Sequence, residues 1–312
     1  MRKNEGEKKE KKPLKKRSRI IIAVSVTVAC VVIGGIGGYF VGNMVFRSQN
    51  AIDYSKYSDL NSYEDDNEAL LKKFKSSKAT DYTKDFKPYE MACIAIEKIK
   101  EHDYVIAKTY GEVDAMGVNQ TVRATSIKNK DEYFMENISA SSMVKTAKRF
   151  FQKDGVVKTY EGNSVKTESA EWEDNPTSEL SLAEHEDKWG KDLSRSIIYI
   201  ISSKTCFDTS TAEKTDKGYT LRLDLSPKYA VLRYVRQMVS ISPIKDPIFH
   251  SVQFNLYLDQ NLNLLSTEVN ESYSVVMVVT AESVARLKEY YTYDVQTKIP
   301  DLHDNMEYEK GE

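Results

Sequence analysis

Residues 20–46 are 27 consecutive positions without a charge, from Ile20-Ile21-Ile22-Ala23-Val24 through Val31-Val32-Ile33 to Tyr39-Phe40-Val41-Gly42. About 20 apolar residues let a helix cross the hydrocarbon core, so this run predicts one transmembrane helix. Residues 47–88 turn polar and rich in Tyr and Asp, which predicts a stalk. A short helix is expected within it near 66–76, where Ala69, Leu70, Leu71 and Phe74 share a face. Pro88 opens a clearer helix whose apolar positions are Ala92, Ala95, Ile96 and Ile99.

From Tyr104 the period shortens to two. Val105 to Val113, Val118 to Ala124 and Glu132 to Ala140 read as strands, with a turn at Gly117. Asp154-Gly155 between Arg149-Phe150-Phe151 and Val156-Val157 predicts a hairpin, because this pair supplies the positive φ angles of a tight turn. Residues 161–180 are polar and broken at Asn175-Pro176. A helical patch with His185 and Trp189 follows, then the apolar cluster Ile197 to Ile201.

Tyr219, Leu221, Leu223 and Leu225 alternate with polar residues as in a half-buried strand. Ser226-Pro227 starts a helix with Ala230, Val231, Tyr234, Val235 and Met238 on one face. Val252, Phe254, Leu256 and Leu258 then face one way, and Asp259-Gln260-Asn261 turns the chain. Leu265, Val269, Tyr273, Val275, Met277 and Val279 line the return strand, and 284–295 supplies a last one. Residues 297–312 read as a loose acidic tail. Strands joined by short turns predict antiparallel pairing with helices on one face, an α+β domain over 89–296.

Charge fixes the expected topology. Residues 1–19 carry ten Lys/Arg against three acids, a basic tail that stays cytoplasmic. Removing these from 45 bases and 47 acids leaves 35 against 44, so the remainder stands at −9 and lies outside the cell membrane. That sign disfavours nucleic acid as a partner. The bilayer is the expected partner instead, with anionic headgroups under the tail. Apolar character continues past Ala29-Cys30, so an uncleaved signal anchor fits better than a cleaved signal peptide. Gly34, Gly38 and Gly42 share one helix face, the small-residue spacing that would let two such helices pair as a homodimer.

The order Trp189-Gly190, Ile198-Tyr199-Ile200-Ile201, Gly218-Tyr219-Thr220-Leu221, Tyr234-Val235-Arg236-Gln237-Met238, Pro247-Ile248-Phe249-His250-Ser251, Asp259 and Glu271-Ser272-Tyr273 resembles an uncharacterised extracytoplasmic domain of low-GC Gram-positive bacteria. Its architecture is similar to the LolA/LppX lipoprotein carriers. The resemblance implies a curved antiparallel sheet with helices on its concave side, and it implies no chemistry.

Catalytic signatures are sparse. A sortase-like cysteine transpeptidase would use Thr205-Cys206 as nucleophile and Arg222 as oxyanion partner, since a reactive thiolate needs a base or cation beside it. However, Ser203-Lys204 precedes the pair, and His102 and His185 lack the strand-loop context of a catalytic base. The four histidines (His102, His185, His250, His303) have no metal-ligand spacing, and Glu184-His185-Glu186-Asp187 reads as a solvated helix face. No Gly-rich phosphate loop or Gly-x-Ser-x-Gly is present, so no cofactor is expected.

Cys93 and Cys206 fit either a disulfide or two buried thiols. Sequons stand at Asn119, Asn137 and Asn270. The reading that remains is a non-enzymatic binding module. Leu223, Met238, Val252, Phe254, Leu256 and Leu258 would line a site for a lipid or another apolar ligand. An envelope structural or protein-interaction role is the alternative.

Overall fold

The computed structural model describes residues 60–115, 117–142, 145–189, 197–241, 247–276 and 280–306. The basic tail, the 20–46 span and Gly34, Gly38 and Gly42 lie outside them. Among the described residues no helix is long and apolar enough to cross a membrane.

Twelve strands dominate the described residues: β1 (Tyr104–Ala115), β2 (Val118–Asn129), β3 (Glu132–Ser141), β4 (Lys145–Lys153), β5 (Val156–Asn163), β6 (Glu171–Trp172), β7 (Ser178–Ser181), β8 (Thr211–Thr215), β9 (Gly218–Leu225), β10 (Ile248–Asp259), β11 (Leu264–Val276) and β12 (Thr280–Tyr293). They form one antiparallel sheet in the order β6-β5-β4-β3-β2-β1-β12-β11-β10-β9-β8, with β7 also on the outer edge of β5. Two meanders therefore meet at β1 and β12, where Val105 to Ala115 run against Tyr293 to Ser283.

This corrects the expected α+β class. Among the described residues the α-helices are few and short: α1 (Asn67–Ser76), α2 (Pro88–Ile99), α3 (Leu182–Trp189) and α4 (Leu232–Ile241). They cover patches of the sheet and do not form a second layer. The physical reason is strand length. β11 and β12 hold 13 and 14 residues, more than any described helix, and two further edge strands arise from the 161–180 stretch that looked irregular and the residue after it.

Turn chemistry sets the strand registers. Asp154 and Gly155 both adopt positive φ (51° and 77°), the geometry a two-residue hairpin needs, and Lys153 pairs with Val156. At the β10–β11 turn, the Asp259 carboxylate accepts from the backbone N–H groups of Asn261 and Asn263 at 2.8 Å each. That turn puts Leu264 inside and leaves Leu265 41% exposed, so the return strand begins its buried row one residue earlier than expected. α1 is capped by Asp66, which accepts from the Ala69 N–H. At α2, Glu90 reaches back to the Lys87 N–H at 2.7 Å, and Pro88 occupies the first turn.

We define the front face as the one carrying Leu223, Phe254, Val269 and Leu287. Over β9–β11 it is apolar and buried under α2, the 197–201 segment and α4. The segment before α2 joins the same core: Leu60 and Phe86 are buried, and Tyr63, Leu70, Leu71, Phe74 and Tyr82 pack against it. The back face of this half is polar, with Arg222, Gln253, Asn270 and Arg286, which is the ordinary alternation of a sheet covered on one side.

The β2–β4 half is buried on both faces. Its back face holds Arg149, whose Nε donates to Glu136 and whose other nitrogens donate to the carbonyls of Leu302 and Asp304. The guanidinium lies 4.3 Å from the Trp172 ring centroid. Asn129 adds a side-chain bond to the Thr297 carbonyl at 3.1 Å. Residues 297–304 are thus fastened across the back of the sheet.

Two substitutions test this architecture. At the seam, a Cβ on Gly111 would stand 2.7 Å from the Arg286 carbonyl oxygen and 3.1 Å from Leu287 Cα. Gly111→Ala should therefore push β1 off β12 and lower the urea midpoint, a loss of roughly 1–3 kcal/mol. Arg149→Met leaves Glu136 buried without its cation and should destabilise by roughly 3–5 kcal/mol. Limited proteolysis should then cut near 297–304, a change that wild type resists under the same conditions.

Candidate functional site

On the front face the side chains line up in rows that cross the seam. Phe254 pairs with Val269, Val269 with Leu287, Leu287 with Gly111, and Gly111 with Val122. A second row joins Thr267, Glu289, Thr109, Ala124 and Asn137. A third joins Val252, Glu271, Ala285 and Val113. The first row is apolar from β10 to β2, whereas the second carries polar side chains on β11, β12, β1 and β3.

Above these rows lies a mainly apolar cavity of about 140 Å³, floored by β1–β3 and β10–β12 and roofed by Ile197, Ile198, Tyr199 and Tyr234. Five strand steps separate β10 from β3, roughly 24 Å along a sheet at the usual spacing, so the space is a narrow trough. Local hydrogen bonds hold the roof. The Ile200 N–H donates to the Ala230 carbonyl at 2.9 Å, Thr205 Oγ1 to the Ile200 carbonyl at 2.7 Å, and Cys93 Sγ to the Ile201 carbonyl at 3.2 Å.

One end of the trough carries a buried carboxyl. Glu271 is 2% exposed and lines the cavity. Its Oε2 accepts from the Tyr199 hydroxyl, while Oε1 has no hydrogen-bond partner. The Tyr234 hydroxyl lies close enough to favour the ionised form without meeting Oε1 in a hydrogen bond. Burial outweighs both tyrosines and pushes the Glu271 carboxyl up to about 7. Burial, and then the Glu271 charge, likewise hold the Tyr199, Tyr234 and Tyr273 hydroxyls well above the usual phenol range. Around the carboxyl the rings interlock: Tyr199 sits 5.8 Å from Phe254 and 6.0 Å from Tyr234, and Phe249 sits 5.0 Å from Tyr273.

Of the residues picked out for a ligand site, Phe254 lines this cavity. Leu223, Met238, Val252, Leu256 and Leu258 are buried in the core beside it and do not line it. The residues missed are Glu271, Tyr199, Tyr234 and the β1–β2 floor. A signal for Glu271 does exist: it occupies an inward position between Val269 and Tyr273, where alternation calls for an apolar side chain.

The cysteine chemistry is not assembled. Cys93 and Cys206 are free thiols, and burial pushes the Cys206 thiol up to about 12. Arg222 is exposed on the back face beside Asp224. His102 lies 3.1 Å from Asp294 and His303 2.9 Å from Asp174, while His250 meets Ser274 and Glu282. His185 is no solvated helix residue: it is 3% exposed, edge-on to Phe150. Among the described residues no cluster of His, Cys, Asp and Glu is placed to hold a metal ion.

No family model matches the chain, and no curated protein matches it. Sequence thus adds nothing to the resemblance to the Gram-positive extracytoplasmic domain. Among solved structures the chain is similar to a DUF1329 family protein from Desulfovibrio piger ATCC 29098, at 11% identity and a TM-score of 0.26, covering 68% of this chain and 93% of that one. It is also similar to an N-terminal dehydratase from the difficidin assembly line (11% identity, TM-score 0.14, 65% and 82% covered). A dehydratase domain from the CurF module of curacin polyketide synthase gives 13% identity and a TM-score of 0.13, with 67% and 84% covered. At these TM-scores none of the three decides fold or function, and the site stands on its own geometry.

The raised carboxyl gives stability a pH signature. Folded Glu271 keeps its proton up to about 7, whereas an unfolded glutamate releases it near 4.5. This contribution is therefore full below about pH 4.5 and is lost as the pH rises through about 7. Glu271→Gln should remove a slope worth roughly 3 kcal/mol between those limits. Thermal melts of wild type and variant should converge below about pH 4.5, separate as the pH rises through about 7 and stay apart above it, with the variant the more stable.

Proposed function

We propose that this chain is a membrane-anchored extracytoplasmic binding module that holds an apolar ligand, without catalysis, between its sheet and the 197–201 roof. The observation that carries the reading is the cavity itself: a mainly apolar trough across both meanders, partly covered by a hydrogen-bonded roof and containing an incompletely satisfied polar group. Sites of this kind bind by apolar area and orient by a few convergent polar groups. The anchor rests on the uncharged 20–46 run and its basic flank, and Gly34, Gly38 and Gly42 would let two anchors pair.

Cavity volume narrows the ligand. At about 140 Å³ the space is well below the roughly 300 Å³ at which drug-sized sites begin. It matches voids of about 150 Å³ that admit a benzene-sized guest. The module then holds a ring or a chain end rather than an entire lipid.

Native mass spectrometry of the full-length chain released from detergent tests this, with organic extraction as a second step. Wild type should carry a removable adduct. Val269→Trp, which fills the trough from its floor, should melt close to wild type and lack that adduct. Equal adducts in both proteins would place the ligand elsewhere, and no adduct in either would remove the binding reading.

A further inference from the structure

Glu271 is more than a buried acid beside a cavity. Its Oε2 is engaged by Tyr199, but its Oε1 is buried, without a partner, in a side chain that forms part of the cavity wall. Leaving such an acceptor unpaired costs roughly 1–3 kcal/mol, and more when it is charged, so a donor met by a small rotation of the carboxyl into the cavity gains what the empty protein lacks.

The groups facing it give the cavity a negative character. Tyr199 comes from the roof, Tyr234 from α4 and Tyr273 from β11, all neutral hydroxyls at physiological pH. At the other end, Glu289 accepts from Thr109 Oγ1 at 3.1 Å and from the Tyr291 hydroxyl. The Lys288 ammonium is half-exposed and spent on Glu268 at 2.6 Å. A carboxylate or phosphate entering the trough would therefore meet two acids, with the wall's Lys288 already paired to Glu268.

We propose that the cavity selects apolar molecules bearing a hydrogen-bond donor, a hydroxyl or an amine, seated on Glu271 Oε1, and rejects acidic amphiphiles. This rests on the binding reading above and adds the chemical class of the ligand.

Four probes that share one ring separate the two readings: toluene, benzyl alcohol, benzylamine and benzoate. Each is titrated calorimetrically into the full-length chain in detergent at about pH 8, with heats from Val269→Trp subtracted to remove micelle partitioning. Benzyl alcohol and benzylamine should bind about tenfold or more tighter than toluene, and benzoate should not bind. In Glu271→Gln, benzylamine should fall to the toluene level while toluene is unchanged. Toluene binding with no donor preference, or a preference that survives Glu271→Gln, would overturn the assignment of Glu271 and leave the cavity standing. Failure of toluene and both donors alike would remove the cavity reading and this inference with it.

Discussion

The structure depends on the pairing of β1 with β12. Each meander on its own is a run of local hairpins, and the seam alone turns them into one sheet. It joins residues about 180 positions apart in sequence, from Val105 against Tyr293 to Ala115 against Ser283. Gly111 sits in the middle of the seam, where the Leu287 side chain occupies the space a Cβ would need. Every front-face row passes through this pairing, so the cavity floor from Phe254 to Met135 exists only because the two strands meet in this register. A slip of β1 by one residue would turn Val113 toward the polar back face and put Glu112 inside.

Two buried carboxylates show how differently the two halves treat charge. Glu136 is paired with Arg149, and the remaining guanidinium nitrogens are used by backbone carbonyls, so the arrangement is electrically closed. Such a pair contributes little net stability yet penalises any alternative packing that separates its members. Here it fixes where the chain crosses the back of the sheet after β12. Glu271 has no cation partner. Hydroxyl groups partly solvate it, and its ionisation is displaced instead. A closed network rigidifies the packing around it, whereas a partly satisfied one leaves a buried acceptor at a cost.

The division also explains why the cavity lies where it does. Over β9 and β10 the front face carries large side chains, Leu221, Leu223, Leu256 and Leu258, and α2 fills the space above them. Over β1 and β2 the corresponding positions are Gly111, Val122 and Ala124, smaller residues that leave room beneath the 197–201 roof. Close packing is complete over β9 and loosens toward the seam and across β1 and β2.

Local physics was legible in the sequence. Asp154-Gly155 specified its hairpin because few residue pairs accept two positive φ angles. The alternation in β9 and β10 and the apolar face of α2 are equally direct readings of period, whereas α4 starts at Leu232, later than the Ser226-Pro227 start that the sequence suggests, because residues 227–231 form turns. Tertiary structure decided the rest: that strands outweigh helices, that β1 pairs with β12, that residues 297–304 lie against Arg149 and that Leu264 rather than Leu265 points inward. It also decided the site, because Tyr199, Tyr234, Phe254 and Glu271 come from separate elements and no local pattern records their convergence. A side chain's period is set by its neighbours in the chain, whereas its partners across a sheet are set by the register of strands far away. The sequence alone therefore determined which faces are apolar, and the fold determined which apolar face was left incompletely filled.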